Sequence, residues 1–218
     1  MRTLPFVPHA EAVFIAGISG RQLDRIVDEH LVPDELLDLT GPTRRYARLV
    51  APFARFYFET ESTLVAAARR DVLRVLFRRV QEVRAPESIW ALTEMPSEFN
   101  WKVDKPGIEI DLFRFIAEAY VNAKKVDEAE ALVVEDGEVL GGLPCFAGTR
   151  VPISSVLGAV DEGVTLEELR EDYAFLTEAH IVAARVYAEV HPRRGRPRRL
   201  RDVLGRARET INVGDAGA

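Results

Sequence analysis

Residues Ala10–Pro33 read AEAVFIAGISGRQLDRIVDEHLVP, and the fold of this stretch decides how the N-terminal third is built. Ala12, Ile15 and Ala16 share one face of a helix that stops at Gly17, a residue suited to the left-handed conformation that closes helices. Ser19 opens a second helix, and Gln22 follows three residues on, at capping-box spacing. Leu23, Ile26 and Val27 supply its buried stripe, and Leu31–Pro33 end it. Two short amphipathic helices around a glycine-containing turn have the spacing of a helix-turn-helix, whose second helix enters the major groove. Its outward residues would be Gly20, Arg21, Gln22 and Arg25. Arginine suits guanine and glutamine suits adenine, each through paired hydrogen bonds. The competing reading is a helix pair that only packs into a core.

Downstream, ELLDLTGPTRRYARLV (35–50) reads as two short strand-like runs around a Gly41–Pro42 turn. As a hairpin it would form a wing laying Arg44, Arg45 and Arg48 on phosphates. The helix pair followed by a basic hairpin resembles the winged helix of MerR-like regulators, which implies operator DNA as a partner. The wing departs from that family in lacking an aromatic-rich ending, and Asp24, Asp28 and Glu29 make the second helix less basic. Next, ESTLVAAARRDVLRVLFRRVQEV (61–83) predicts a long helix with Leu64, Ala68, Val72, Val75, Leu76 and Val80 at helical spacing. Arg70, Arg74 and Arg78 form a solvated stripe on it, and its apolar face offers a seam for a homodimer.

The chain has 218 residues, 47% of them hydrophobic, with no apolar run long enough for a membrane span. One cysteine, Cys145, excludes an internal disulfide framework and fits a reducing compartment, so a cytoplasmic protein without membrane contact is expected. The net charge of −6 is unevenly spread: residues 1–86 carry +2, 87–136 carry −7, 137–191 carry −6, and 192–218 carry +5. Local field rather than total charge governs binding to polyanions, so both basic ends remain candidates.

Between the ends, the helical pattern lapses around Ala85–Pro96; KPGIEIDLF (105–113) reads as a turn and short strand, and RFIAEAYVNAKKVDEAEAL (114–132) as a helix. The phrase GGLPCFAGTRVPIS (141–154) lacks the lysine of a phosphate loop, and no histidine spacing pairs His180 or His191 with Cys145 as a nucleophile. Its glycines suit a tight hairpin, Pro152 suits a helix entry, and Arg150 can pair with a carboxylate. Helices follow at roughly 153–162, 165–174 and 177–190, with Thr165 and Glu168 in a second capping box and Thr177 capping the third.

The wording LGGLPCFAGTRVPISSVL with EGVTLEELREDYAFLTEAHIVAARVYA resembles domain-of-unknown-function family 433, over about residues 134–190. Gly141, Gly142, Gly148, Thr149, Arg150 and Pro152 carry that signature, with Leu143 where lysine is often found. The resemblance implies a tri-helical, homeodomain-like unit of the kind encoded beside PIN-like ribonuclease toxins. Joined to an N-terminal helix-turn-helix, it resembles the longer VapB-type antitoxins, which implies toxin neutralisation and promoter repression. The tail, PRRGRPRRLRDVLGRARETINVGDAGA (192–218), would then engage the toxin through Arg193, Arg194, Arg196, Arg198, Arg199, Leu200, Val203 and Leu204. A basic amphipathic segment of this kind suits an acidic Mg²⁺ site on a partner. A solubilising tail, or a minor-groove hook at Arg194–Pro197, are the competing readings.

The expected architecture is therefore mainly α (α+β). It comprises a winged helix-turn-helix region with a long helix (1–86), a connecting strand and helix (87–133), a tri-helical family domain entered through a short β-hairpin (134–191), and a basic tail (192–218). The expected function is a non-enzymatic antitoxin and autorepressor, with no catalytic residue, metal or cofactor. A stand-alone DNA-binding regulator without a toxin partner is the alternative.

Overall fold

The computed structural model describes residues 6–192. Within them the protein is mainly α-helical with short antiparallel strands, an α+β fold. The chain opens with β1 (Val7–Pro8), α1 (His9–Ala16) and α2 (Gly20–Asp28), followed by a 3₁₀ turn, β2 (Leu37–Asp38) and β3 (Arg45–Tyr46). The strands form one small sheet in the order β1-β3-β2, with Val7 and Leu37 flanking Tyr46. Gly17 ends α1 at φ 62°, and its amide donates to the Val13 and Phe14 carbonyls. Ala12, Ile15, Ala16, Leu23 and Ile26 are fully buried, so the helix pair and its hairpin share a core.

Where strand-like sequence was expected to run on to Val50, the chain instead starts α3 (Val50–Glu59). Phe53, Phe56, Tyr57 and Phe58 are all buried, so this helix is apolar around most of its circumference, with only Arg55 and Glu59, paired one turn apart, on its open side. Its aromatic composition costs at most ~0.7 kcal/mol of helix propensity per residue. Burying each phenylalanine returns ~1.5–3 kcal/mol, so packing prevails over propensity. Pro52 sits in the first turn, where a missing amide costs nothing.

Next come α4 (Ala66–Gln81), α5 (Pro86–Ala91), and a hairpin of β4 (Lys102–Lys105) with β5 (Ile108–Asp111). Leu64 falls just before α4, while Val72, Leu76 and Val80 are buried along it as expected. The sequence reading missed α5 and β4. The first is a single short turn-and-a-half opened by Pro86, and the second, KVDK, buries only Val103.

α6 (Phe113–Leu132) is the longest helix of the described residues and the element on which the two halves meet. α1 and α3 pack on it from the N-terminal side, and α9 (Glu178–Val190) packs most extensively from the C-terminal side. Between them lie the hairpin β6 (Val133–Val134)/β7 (Cys145–Phe146), α7 (Ile153–Asp161) and α8 (Leu166–Asp172). Thr165 and Glu168 form the expected capping box, and the Thr177 hydroxyl accepts from the His180 amide. One hydrophobic cluster runs without interruption from Val7 to Val190.

Candidate nucleic-acid interface

The candidate interface is built from α2 and the β2–β3 hairpin. Ser19 caps α2: its Oγ accepts from the Gln22 amide at 3.3 Å, and Gln22 Oε1 accepts from the Ser19 amide and hydroxyl, each at 2.9 Å. Gln22 is thus a capping residue. The oxygen it would need for a two-bond contact with adenine accepts both of these bonds, so Gln22 would have to leave the cap to read a base.

The six expected DNA residues differ sharply in their surroundings. Arg25 Nε donates to Glu29 Oε1 at 2.7 Å, and its guanidinium lies 5.2 Å from the Phe58 ring centroid. That hydrogen bond raises the Arg25 pKa and holds the Glu29 carboxyl below its ordinary range. Arg44 reaches back from the wing to Asp28 at 2.8 Å and Asp24 at 3.8 Å. Arg21 and Arg45 are exposed and enter no ion pair among the described residues. These two are the uncommitted cations of the head. The pairs made by Arg25 and Arg44 are exposed, and exposed pairs are weak and screened by salt, so each guanidinium can exchange a carboxylate for a phosphate.

Arg48 is the clear correction. It is 9% exposed, and its Nη2 and Nε donate to Glu11 Oε1 at 2.8 and 3.0 Å, while Nη1 lies 2.8 Å from Asp127 Oδ1. It therefore ties α1 to α6 from the start of α3 and cannot lie on a phosphate. Burial pushes the Glu11 carboxyl up, and the attraction of Arg48 pulls it only part of the way back. No feature of the N-terminal third announces this arrangement, because Asp127 comes from a distant helix. Along α4, Arg70, Arg74 and Arg78 are all exposed, as their spacing predicts.

At the other end, the signature loop is held by its backbone. Gly141, Gly142 and Gly148 all take positive φ, at 68°, 81° and 73°. The Thr149 hydroxyl donates to the Phe146 carbonyl at 2.9 Å and accepts from the Val151 amide at 3.1 Å, and Pro152 is the N-cap of α7. Arg150 is exposed and makes no ion pair among the described residues. Cys145 is buried with its thiol against the Leu143 carbonyl at 3.3 Å, while the nearest partner of His180 is Thr177. No cluster of three metal-ligating side chains occurs among the described residues. The expected toxin-binding residues, Arg193 to Leu204, lie outside the described residues.

The family described as "Protein of unknown function (DUF433)" matches residues 133–188, from β6 nearly to the end of α9. The chain is also 30% identical over 194 residues to "Uncharacterized protein y4eO" of Sinorhizobium fredii, covering 89% of this chain and 85% of that protein. The chain belongs to the DUF433 family. A crystal structure of Rv2018 from Mycobacterium tuberculosis aligns with 83% of this chain and 97% of that one, at 16% identity and a TM-score of 0.31.

The DUF433 unit is acidic on its outer helices: Glu167, Glu168, Glu171 and Asp172 are exposed on α8. Duplex DNA repels such a surface. Exposed arginines cluster instead on α2, the wing and α4, with Arg150 a single exposed arginine in the signature loop. No helix of the described residues is long and apolar enough to cross a membrane.

Proposed function

We propose that this DUF433 protein is the antitoxin of a type II toxin–antitoxin pair, neutralising a PIN-like ribonuclease and autorepressing its operon as a homodimer on operator DNA. The observation that carries the reading is the head: a three-residue turn between α1 and α2, a wing beside them, and Arg21 and Arg45 without an ion pair among the described residues. Arg21 at the start of α2 is the base reader, and Arg45 on the wing is the phosphate contact, joined by Arg25 and Arg44 once they leave their carboxylates. The acidic DUF433 unit serves protein contacts, and the basic tail engages the toxin's carboxylate-lined metal site.

Co-expression with the product of the neighbouring gene, followed by affinity purification, tests the toxin half. A stoichiometric complex in which the ribonuclease is silent is the expected result. Independent purification of the two proteins, with the nuclease active, would leave only the DNA-binding regulator.

A further inference from the structure

Five arginines lie on α4, and their surroundings divide them into two kinds. Arg69 is buried, with its guanidinium 4.2 Å from the Tyr57 ring centroid, and it donates to the Tyr57 carbonyl. Arg79 donates to the Lys102 carbonyl at 2.5 Å and so ties α4 to β4. Arg70, Arg74 and Arg78 hold nothing together. All three are exposed, Arg70 and Arg78 enter no ion pair among the described residues, and Arg74 has only a 3.8 Å approach to Asp71.

The exposed positions of α4 are Ala67, Arg70, Arg74, Arg78 and Gln81, so every charge on its open face is positive. A solvated, ion-paired helix face carries alternating signs, whereas like charges one turn apart weaken a helix. Two carboxylates beside the stripe are already taken. Asp71 is bonded by the Lys105 ammonium, and Glu29, just past α2, is bonded by Arg25. Glu82, one turn beyond Arg78, forms no ion pair with it.

Successive arginines of the stripe are four residues apart, about 6 Å along the helix axis, so the stripe runs ~12 Å. One strand of a duplex carries a phosphate every ~3.4 Å of its axis, which lets each guanidinium meet a separate phosphate. The planar fork of arginine also matches phosphate geometry. The stripe continues the candidate interface. Arg21, Arg25 and Glu29 follow one another along α2 at the same spacing, and Arg25 lies over the Phe58 ring near the end of α3. The Glu29 carboxyl is held down first by its hydrogen bond from Arg25, and the charge of Arg70 reaches it from α4.

We infer that Arg70, Arg74 and Arg78 lie along the phosphate backbone of the duplex that α2 and the wing engage, extending the contact without reading bases. The inference rests on the proposed DNA reading. Phosphate contacts position a protein but carry no sequence information, so the stripe adds affinity that all duplexes share.

Electrophoretic retardation of the upstream duplex and of an unrelated duplex of equal length, across a salt series, tests the full chain against Arg70→Ala/Arg74→Ala/Arg78→Ala. The variant should bind both duplexes more weakly by the same factor and keep the wild-type preference between them. Its log–log salt slope should be shallower by about 0.9 for each phosphate lost, or ~2.7 for all three. Arg70→Lys/Arg74→Lys/Arg78→Lys, which keeps the charge, should keep the slope. An alanine variant with wild-type affinity and slope overturns the stripe. So does a lysine variant whose slope falls as far as that of the alanine variant.

The fate of the stripe is separable from that of the head. Binding that depends on Arg21 and Arg45 but not on the stripe removes this inference alone. Binding that depends on the stripe but not on Arg21 or Arg45 keeps it and removes the head as reader, and a wild type that retards neither duplex removes both. Another occupant of suitable charge is a second copy's α8, through Glu167, Glu168, Glu171 and Asp172. Sedimentation distinguishes it: an alanine variant that has lost a self-association shown by the wild type overturns the DNA contact in its favour.

Discussion

Replacing Arg48 by methionine should destabilise the protein more than any other change to a single charged side chain described above. The side chain is 10% exposed and its partner Glu11 only 5%, so neither charge has water to fall back on. Arg48→Met leaves Glu11 charged, buried and unpaired; Asp127, about a third exposed at 36%, regains solvent more easily. Removing one member of a buried pair costs ~3–5 kcal/mol, and the partial exposure of Asp127 argues for the lower end, ~3 kcal/mol. For a chain of this size that corresponds to a fall in Tm of about 6–12 °C.

The destabilisation should also depend on pH. Burial already raises the Glu11 pKa above its ordinary value, and without the opposing pull of Arg48 it rises further. A carboxyl with a raised folded-state pKa contributes stability in its neutral form, present below the ordinary value and lost as pH rises through the raised one. The deficit of Arg48→Met relative to the wild type should therefore be largest near neutrality and shrink in acid. Urea denaturation of the wild type, Arg48→Met, Glu11→Leu and the double variant, at neutral and acidic pH, reads both effects. The double variant should be more stable than the sum of the two single effects implies. A destabilisation below ~1 kcal/mol, or strict additivity of the two substitutions, would refute the reasoning.

Other consequences follow from local structure. Ser19→Ala removes the hydroxyl half of the α2 capping box, leaving the residue-19 amide bonded to Gln22 Oε1, and should cost ~1 kcal/mol, or about 2–4 °C in Tm, by thermal denaturation; an unchanged Tm contradicts the cap. Gly17→Ala and Gly158→Ala should move stability in opposite directions. Gly17 sits at φ 62°, where a Cβ costs ~1–2 kcal/mol, whereas Gly158 lies inside α7 with open space around it, where alanine should add ~0.4–1 kcal/mol. Burial, with Glu135 adding to it, pushes the Tyr187 hydroxyl up to about 12. Its neutral form contributes stability that is complete below the ordinary tyrosine value and lost as pH rises through about 12. An ultraviolet difference titration should lose its most alkaline phase in Tyr187→Phe, and an identical curve would contradict the assignment.

Features encoded within a few residues of one another were legible from the sequence. The Ser19–Gln22 and Thr165–Glu168 boxes, the Gly17 stop and the three C-terminal helices all depend on neighbours in the chain, and each occurs where its spacing predicts. α3 was not legible, because its polar face is only Arg55 and Glu59, too narrow to mark a helical period among so many aromatic residues. Within the candidate interface, a count of arginines could not distinguish Arg45, exposed on the wing, from Arg48, three residues further on and buried. That difference depends on Glu11 and Asp127, brought in by α1 and α6.

Whether the α2–wing head reads DNA is the central question. Electrophoretic retardation of the duplex upstream of the gene, across a salt series, compares the wild type with the Arg21→Ala/Arg45→Ala double variant. The wild type should prefer the upstream duplex to unrelated DNA. The variant should bind more weakly, with a log–log salt slope shallower by about 0.9 for each phosphate it no longer neutralises. Equal retardation of unrelated DNA by the wild type, or a variant with unchanged affinity and slope, would contradict it.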